Sequence, residues 1–316
     1  MAPPPLLLLA ALWAAGRAEP EGANRSLSLA VVLPERNVSY PWAWPRVGPA
    51  IRLALEALER GDPPLLPGPL AVRLHFRSSE LEGACSEYVA PLNAVDLKLY
   101  HDPDVLFGPG CVYPAASVGR FASHWRLPLI TAGAVATGFS HKREHYGTTV
   151  RTGPSAPKLG AFVSQLHAHF NWSARAALLY ADHKTDDRPY YFTIEGVYQE
   201  LQEALNLTVR YHIYAPDEGG ADAAMHFLRA SGRVIYICGP LEMLHQIMRL
   251  AQRESLTNGD YVFFYVDVFG ESLRASATRD ALKPWQNKQS QDVGLRQAFQ
   301  DSCRRWGAAL GLGNEQ

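Results

Sequence analysis

The residues with the clearest chemistry are two cysteines and the turn beside one of them. Cys85 stands at the start of a helical pattern, and Cys111 ends a Gly-Pro-Gly-Cys turn just after the apolar run Val105–Phe107. A disulfide between them would close a loop of about 27 residues, which the chain-entropy model values at roughly 3–4 kcal/mol. The sequence therefore favours this pair as a staple of the first half of the chain.

The turn at Cys111 also has the features of an anion site. It runs into Pro114, which suits the first turn of a helix. Backbone N–H groups at such a turn point outward without intrahelical partners, so the position favours a negative ion.

Motifs for catalysis do not occur in the sequence. It contains no phosphate loop ending in Gly-Lys-Ser/Thr, no His-Glu-x-x-His and no Gly-x-Ser-x-Gly. His141 and His145 are four residues apart and would suit a metal on a helix, but no third ligand at useful spacing completes the set. We interpret this segment as a solvated polar loop, and we find no nucleophile–base pair for an α/β enzyme.

The elements that must position these residues alternate between strand and helix. Runs rich in Val, Ile, Leu and Phe separated by amphipathic stretches favour parallel sheets covered on both faces. At 316 residues the chain exceeds a typical single core, so two α/β lobes are expected. The predicted strands are 27–33, 70–76, 105–107, 127–131, 174–181, 208–214, 234–238 and 261–266, and the predicted helices are 47–58, 85–99, 114–125, 157–170, 188–205, 221–231 and 241–255.

Composition and the first residues point to the secretory pathway. The 30 basic and 31 acidic residues nearly cancel, which gives no electrostatic reason to expect nucleic acid or a membrane surface as partner. Residues 1–22 are typical of a signal peptide, and no later window is apolar enough to span a membrane. Four glycosylation sequons agree with a chain that is extracellular or retained in the endoplasmic reticulum, at Asn24, Asn37, Asn171 and Asn206.

Several long motifs carry a family resemblance. They include SSELEGACSEY, LFGPGCVYPAASVGRFASHWRLPL, RTGPSAPKLG, RVIYICGPLEMLH and NGDYVFFYVDVFGESL. Over about residues 27 to 300 the chain resembles the extracellular hormone-binding region of natriuretic peptide receptors, closest to the type B members, whose hormone is C-type natriuretic peptide. The resemblance implies a type I periplasmic-binding-protein fold with two Rossmann-like lobes. We place lobe one at 27–128, lobe two at 129–280, the start of a return to lobe one at 281–300 and a divergent tail at 301–316.

The same resemblance implies a surface for a basic, ring-closed peptide. Aromatic residues supply contact area, and carboxylates can pair with the arginines of the peptide. It further implies a chloride ion at Ser79, Gly110 and Cys111, a receptor homodimer with His124 at the contact, and no metal or organic cofactor. The implied hormone contacts are Glu87, Tyr113, Arg120, Tyr146, Tyr180, Asp182, Tyr191, Phe192, Glu195, Tyr198, Tyr211 and Tyr214.

The other two cysteines are expected to stay unpaired. The related type A pattern places a partner for Cys238 near residues 189–191, where this chain has Pro189, Tyr190 and Tyr191. We therefore interpret Cys238 as a small buried core residue and Cys303 as a free thiol.

The resemblance stops near residue 300, where the chain reads DSCRRWGAALGLGNEQ. We expect the return segment, the membrane span, the kinase-like region and the guanylyl cyclase domain of the family to be missing. We expect such a chain to fold weakly, to aggregate, to bind the hormone poorly and not to signal. If it folds, we expect it to act as a soluble decoy or a non-productive dimer partner. The alternative is a secreted protein that binds a small molecule or amino acid in the cleft between the lobes, but the broad aromatic face favours a peptide.

Overall fold

A computed structural model describes residues 25–60, 70–182, 187–217, 219–269, 283–286 and 293–309. Within them, strands and helices alternate along the chain and form two α/β lobes, as the sequence pattern predicts. The expected α/β class is confirmed. The expected signal peptide and Asn24 lie outside the described residues.

Lobe one is built on five parallel strands with helices against them. The strands are β1 (Arg25–Leu33), β2 (Leu70–Ser78), β5 (Val105–Phe107), β6 (Leu129–Thr131) and β7 (Thr149–Arg151), in the order β2-β1-β5-β6-β7. A short hairpin follows β2, formed by β3 (Glu80–Leu81) and β4 (Ala84–Cys85). The helices are α1 (Trp44–Arg60), α2 (Val89–His101) and α3 (Val112–Trp125), and a 3-10 turn covers Thr137–Ser140.

The first sheet continues past the expected boundary at residue 128. β6 pairs with β5, and β7 pairs with β6 through Leu129 and Thr149. Residues up to Arg151 therefore belong to the lobe-one sheet. The short strand β7 has too few residues to show a pattern in the sequence, which is why it escaped prediction.

The helix expected from Cys85 begins at Val89 instead. Glu82 and Gly83 both have positive φ, at 53° and 83°, and they turn the chain so that Cys85 lies on the second strand of the hairpin. The Ser86 hydroxyl then accepts hydrogen bonds from the N–H groups of Tyr88 and Val89. This local capping moves the helix start beyond the cysteine.

Lobe two is built on four parallel strands. They are β8 (Arg175–Ala181), β9 (Thr208–Tyr214), β10 (Val234–Cys238) and β11 (Val262–Tyr265), in the order β11-β10-β8-β9. The helices are α4 (Ala156–His169), α5 (Pro189–Glu203), α6 (Gly220–Ser231) and α7 (Leu241–Arg253). Alternate residues of the buried strands enter two separate cores: Leu178 and Tyr236 pack with α5, whereas Leu179 and Ile237 pack with α6 and α7.

The segment expected to return to lobe one packs on lobe two in the described residues. A last helix, α8 (Val293–Ala309), places Leu295 and Ala298, both fully buried, in the same core as Ile247 of α7. Trp285 and Phe299 add a ring contact at 6.3 Å. Within the described residues, the apolar side chains of this helix are therefore buried against α7 of lobe two.

The two lobes meet beside the start of α3. Val112, Ala115 and Tyr146 of lobe one form an apolar cluster against which Phe192 of α5 packs. The carboxylate of Asp187 accepts a hydrogen bond from the N–H of Val112, at the positive end of α3. This junction sets the position of α5, the helix that carries most of the candidate site.

Candidate functional site

The predicted contact residues converge in one groove on lobe two. The groove encloses about 360 Å³ between α5 and the strands β8 and β9. Five of the twelve predicted contacts line it, together with two further polar side chains, Gln199 and Glu203, which the sequence interpretation missed. We call this feature the tyrosine groove and define it by Tyr180, Tyr191, Glu195, Tyr198, Glu203 and Tyr211.

Strand and helix periodicity explain why these residues meet. Tyr180 points to the α5 side of the sheet because it alternates with Leu179 and Ala181, which face the other core. Tyr211 lies on β9 opposite Leu178 of β8, so it reaches the same side. On α5, spacings of four and three residues place Tyr191, Glu195 and Tyr198 along one stripe.

The tyrosine rings support one another at contact distance. The ring of Tyr211 is 5.9 Å from that of Tyr198, edge to face, and 6.4 Å from that of Tyr180. Burial, together with the nearby charge of Asp182, raises the pKa of Tyr180 to about 12. The Tyr180 phenol is therefore neutral at physiological pH and can donate or accept a hydrogen bond.

Close helix packing holds α5 in place. Gly196 of α5 faces Ala156 of α4, and a Cβ atom on Gly196 would overlap the carbonyl group of Ala156. Gly160 of α4 makes the reciprocal approach to the backbone of Gly196. These two glycines let the helix axes come closer than larger residues would permit, which fixes the wall of the groove.

An arginine that the sequence interpretation missed organises one end of the groove. The Arg188 guanidinium donates two hydrogen bonds to the Asp182 carboxylate, at 2.9 and 2.6 Å, and these bonds raise the pKa of Arg188. It also lies over the Tyr191 ring, 4.0 Å from the centroid, and contacts the Tyr113 hydroxyl at 3.5 Å. The predicted contact Asp182 is thus already paired, with a side chain only 2% exposed.

Two contacts join the groove to lobe one. The Thr137 hydroxyl donates a hydrogen bond of 3.0 Å to the Glu195 carboxylate. Phe192 meets Tyr113 edge to face, with ring centroids 5.4 Å apart. Both predicted contacts at this end, Tyr113 and Phe192, therefore lie at the junction of the lobes.

The remaining predicted contacts lie elsewhere. Tyr214 faces the opposite side of the sheet from Tyr211, where its hydroxyl donates to the Gln246 side chain. Tyr146 is buried in the lobe-one cluster, with the exposed Arg120 over its ring at 5.4 Å. Glu87 is exposed beside the disulfide. These four residues do not join the tyrosine groove in the described structure.

The cysteines behave as the sequence predicts where they are described. Cys85 and Cys111 form a disulfide with Cα atoms 6.4 Å apart. Cys238 is a buried free thiol that contacts the Tyr190 carbonyl oxygen at 3.6 Å, and burial raises its pKa. Burial and a raised pKa both disfavour the reactive thiolate form of Cys238. The side chain of Cys303 is outside the description.

Two buried polar groups, one just after β2 and one against the turn before α3, have no hydrogen-bond partner among the described residues. The Ser79 hydroxyl is 1% exposed and has no hydrogen-bond partner among the described residues, and the same is true of the buried indole N–H of Trp42. The Trp42 ring packs on Gly110 so closely that a Cβ there would overlap it. Buried donors of this kind fit an anion, although the N–H of Val112 is already taken by Asp187.

Other predicted positions are exposed. His124 lies on the outer face of α3, between Phe121, which is 37% exposed, and Trp125. The ring centroids of Phe121 and Trp125 are 5.6 Å apart. His141 and His145 are exposed, and no cluster of three metal-ligating side chains occurs in the described part of the chain. Of the sequons, Asn171 and Asn206 are exposed, whereas the half-buried Asn37 amide donates to the Gly83 carbonyl at 2.7 Å.

Comparison with known proteins places this geometry in a family. A family model described as the receptor family ligand binding region matches residues 46–304. Atrial natriuretic peptide receptor 2 of Homo sapiens is 67% identical over 302 residues, which cover 95% of this chain and 28% of the relative. Atrial natriuretic peptide receptor 2 of Anguilla japonica is 47% identical over 267 residues, which cover 84% of this chain and 25% of the relative. Atrial natriuretic peptide receptor 3 of Rattus norvegicus is 33% identical over 279 residues, which cover 88% of this chain and 50% of the relative.

A solved structure shares the fold at low sequence identity. The solute binding protein of an ABC transporter from R. palustris, in complex with 4-hydroxybenzoate, superimposes with a TM-score of 0.51 at 11% identity. The match covers 78% of this chain and 62% of that protein. It supports the predicted binding-protein-like arrangement of parallel sheets and helices.

The matched region is a minor part of the receptor 2 relatives, since this chain spans about 28% of the length of the human protein. In the part of the chain that the structure describes, no helix combines the length and apolarity that a bilayer crossing requires. The chain therefore belongs to the family of receptor ligand binding regions, and its relatives in that family are natriuretic peptide receptors, the type B receptor among them.

Proposed function

We propose that this chain is the extracellular hormone-binding region of a natriuretic peptide receptor and that the tyrosine groove contacts C-type natriuretic peptide. The observation that carries the proposal is the groove itself, where four tyrosine rings lie with Glu195 and Glu203 in one lining. Tyrosine buries a large area at little cost in side-chain entropy, and carboxylates pair with the arginines of a basic peptide. The activity that we assign to this chain is binding, without catalysis.

The electrostatics of the groove suit a peptide more than a small charged molecule. Asp182 and Arg188 are paired with each other, and Asp187 caps α3. The groups that would clamp an amino acid between the lobes therefore already have partners. This pairing weighs against the alternative of a small ligand in the inter-lobe cleft.

The exposed face of α3 supports a homodimer as the binding unit. Phe121, His124 and Trp125 form an aromatic patch on this face, and patches of this kind commonly mark protein interfaces. In the proposed receptor, two copies would meet through this patch and share one hormone. Arg120 and Glu87, both exposed on lobe one, would then be available to the hormone or to the partner copy.

Chloride is the proposed ion at the turn before α3. The unpartnered Ser79 hydroxyl supports it, and the backbone N–H groups of Gly110 and Cys111 would complete the donor set. The ion would supply negative charge that satisfies these buried donors and rigidifies the turn next to the disulfide.

Peptide titration tests the proposal. The secreted chain is titrated into fluorescently labelled C-type natriuretic peptide, followed by anisotropy, with a panel of amino acids as competitors. We expect saturable binding that the amino acids do not displace. Replacing Tyr198→Ala is expected to weaken it by about 30-fold, or about 2 kcal/mol.

The matched control for this titration is Tyr214→Phe, which removes a hydroxyl on the opposite side of the same sheet. It is expected to change the affinity by less than about twofold, since Tyr214 lies outside the groove. Displacement of the labelled peptide by a free amino acid, or an unchanged affinity in Tyr198→Ala, would overturn the proposal.

A further inference from the structure

A second cleft lies at the amino end of the lobe-two strands, away from the tyrosine groove. It encloses about 540 Å³ where β8 and β10 begin. Arginine side chains dominate its polar lining, and aromatic side chains stand beside them. We call it the arginine cleft and define it by Asn171, Trp172, Arg175, Arg229, Arg233 and Tyr261.

Two of these arginines are neighbours across the sheet. β8 and β10 pair in parallel with Ala176 opposite Val234, so Arg175, the first residue of β8, and Arg233, which immediately precedes β10, lie at neighbouring positions. A Cβ on the adjacent Gly232 would lie 3.4 Å from the Arg175 Cβ, which confirms that the two segments touch. Neighbouring strands are about 4.8 Å apart, and like charges at facing positions destabilise a sheet.

The nearby carboxylates do not neutralise this pair. Glu254 is bound to Arg229 at 2.8 Å, and Asp260 accepts a hydrogen bond from Asn258 at 3.2 Å. Neither Arg175 nor Arg233 has an ion-pair partner among the described residues. The Arg210 guanidinium adds further positive charge at the wall, where it donates to the Ala230 carbonyl at 3.2 Å. An external anion would give both exposed guanidinium groups a partner of opposite charge.

We propose that the arginine cleft binds a sulfated oligosaccharide, of the kind found in extracellular glycosaminoglycans. Guanidinium groups bind sulfate and carboxylate oxygens through paired N–H donors. Trp172 and Tyr261 offer apolar surface to sugar rings, and the volume lies within the range of about 300–1,000 Å³ that ligand pockets occupy. This site does not depend on the proposed hormone groove.

A sugar attached to the chain itself would bring similar chemistry to the same place. Asn171 is exposed at the rim, and both Asn171 and Ser173 of its sequon line the cleft. The variant Asn171→Gln, which cannot carry this glycan, therefore distinguishes binding of a free oligosaccharide from occupation of the cleft by acidic sugars attached to the chain.

The test is calorimetric titration of the secreted chain with a heparin hexasaccharide at about 0.15 M salt. We expect saturable binding that falls by roughly 5- to 10-fold in Arg175→Gln and in Arg233→Gln, and by about 50-fold in the double variant. In a plot of the logarithm of the binding constant against the logarithm of the salt concentration, the slope of the double variant should be smaller than that of the unaltered chain by roughly two released counterions. Asn171→Gln should bind at least as well as the unaltered chain.

The matched control replaces two exposed arginines of β2, Arg73→Gln and Arg77→Gln, which lie on lobe one. This variant and Tyr198→Ala should keep hexasaccharide binding within twofold. The proposal is overturned if the unaltered chain shows no saturable binding, if the control pair weakens binding as much as the cleft pair, if Asn171→Gln abolishes binding, or if desulfated heparin binds equally well.

Discussion

The two clefts of lobe two use the same sheet but balance their charges differently. At the tyrosine groove, Arg188 is matched by Asp182, Glu195 accepts a hydrogen bond from Thr137, and Tyr180 stays neutral. At the arginine cleft, Arg175 and Arg233 line the same cavity, and no ion pair joins either of them to a carboxylate among the described residues. We therefore expect the groove to discriminate between ligands by shape and hydrogen bonds, and the cleft to discriminate between them by charge.

This contrast shows how one α/β lobe can present two clefts of different chemistry. The groove depends on the exact placement of α5, which close packing and the Asp182–Arg188 pair maintain. The cleft depends on strand ends, where Arg175, Arg229 and Arg233 line one cavity. Variants that disturb α5 should therefore affect the groove and leave the cleft chemistry in place.

The largest expected effect comes from Arg188→Ala. It leaves the Asp182 carboxylate buried without its guanidinium partner, and breaking a buried pair in this way costs about 3 kcal/mol. The free energy of unfolding, measured by urea denaturation, should fall by that amount. Adding Asp182→Asn should restore much of the loss, whereas a double variant as unstable as the single one would show that the pair does not organise this end of the groove.

The next effect is expected for Gly196→Ala. Its methyl group would overlap the Ala156 carbonyl group and force α4 and α5 apart, at a cost of about 2 kcal/mol even though alanine favours a helix. The melting temperature and the peptide affinity should both fall. The control is Gly138→Ala, because a Cβ at Gly138 meets open space; equal melting temperatures for the two variants would contradict close packing as the support of α5.

Adjacent residues on β9 sharpen the comparison between the two sides of the sheet. Tyr211→Ala removes a groove wall and should weaken peptide binding by about 10-fold, or about 1.4 kcal/mol. His212→Ala should leave the affinity within twofold, because its ring stacks on Phe227 on the other side. Fluorescence anisotropy with labelled peptide measures the affinity of both variants. A larger loss of affinity in His212→Ala than in Tyr211→Ala would place the hormone on the side of the sheet opposite the groove and contradict the account.

The smallest expected effect is a loss of stability in acid. Burial lowers the pKa of His167, although its hydrogen bond with the Trp172 carbonyl opposes the shift, and burial with the charge of His101 lowers the pKa of His75. As the pH falls, the unfolded chain therefore takes up protons on these two histidines before the folded chain does. The contribution of the neutral histidines to the free energy of unfolding is present above a pH of about 6.5 and is lost as the pH falls below it.

The melting temperature should drop by about 2–5 °C between pH 7.5 and 5.5. A variant His167→Gln should show a smaller drop, whereas the exposed His124→Gln should match the unaltered chain. A melting temperature that rises on acidification would contradict this assignment.

Sequence periodicity is sufficient for most of the fold, and it also determines which strand residues can share one side of the sheet. Runs such as 208–214 and 234–238 were predicted to the residue. Tyr211 and Tyr214 are three positions apart on one strand, so alternation alone places them on opposite sides. By contrast, the hairpin before Cys85 requires a positive φ at Glu82 as well as at Gly83, and a glutamate gives no sequence signal for that conformation.

Features that depend on contacts between distant segments were beyond sequence reasoning. Nothing near Arg188 indicates that its guanidinium would bind Asp182 and reach Tyr113 in the other lobe. The burial of Leu295 and Ala298 of α8 against α7 likewise depends on a contact between distant segments, which no local pattern indicates. The facing of Arg175 and Arg233 follows only from the pairing of β8 with β10.

Hydrogen exchange of the secreted chain, with and without saturating C-type natriuretic peptide, tests most directly whether the tyrosine groove is the hormone site. The account predicts that the peptide slows exchange of the amides in α5 and β9 and leaves the amides at 171–175 and 229–233 unchanged. Slowed exchange confined to the arginine cleft, or to segments outside lobe two, would contradict it.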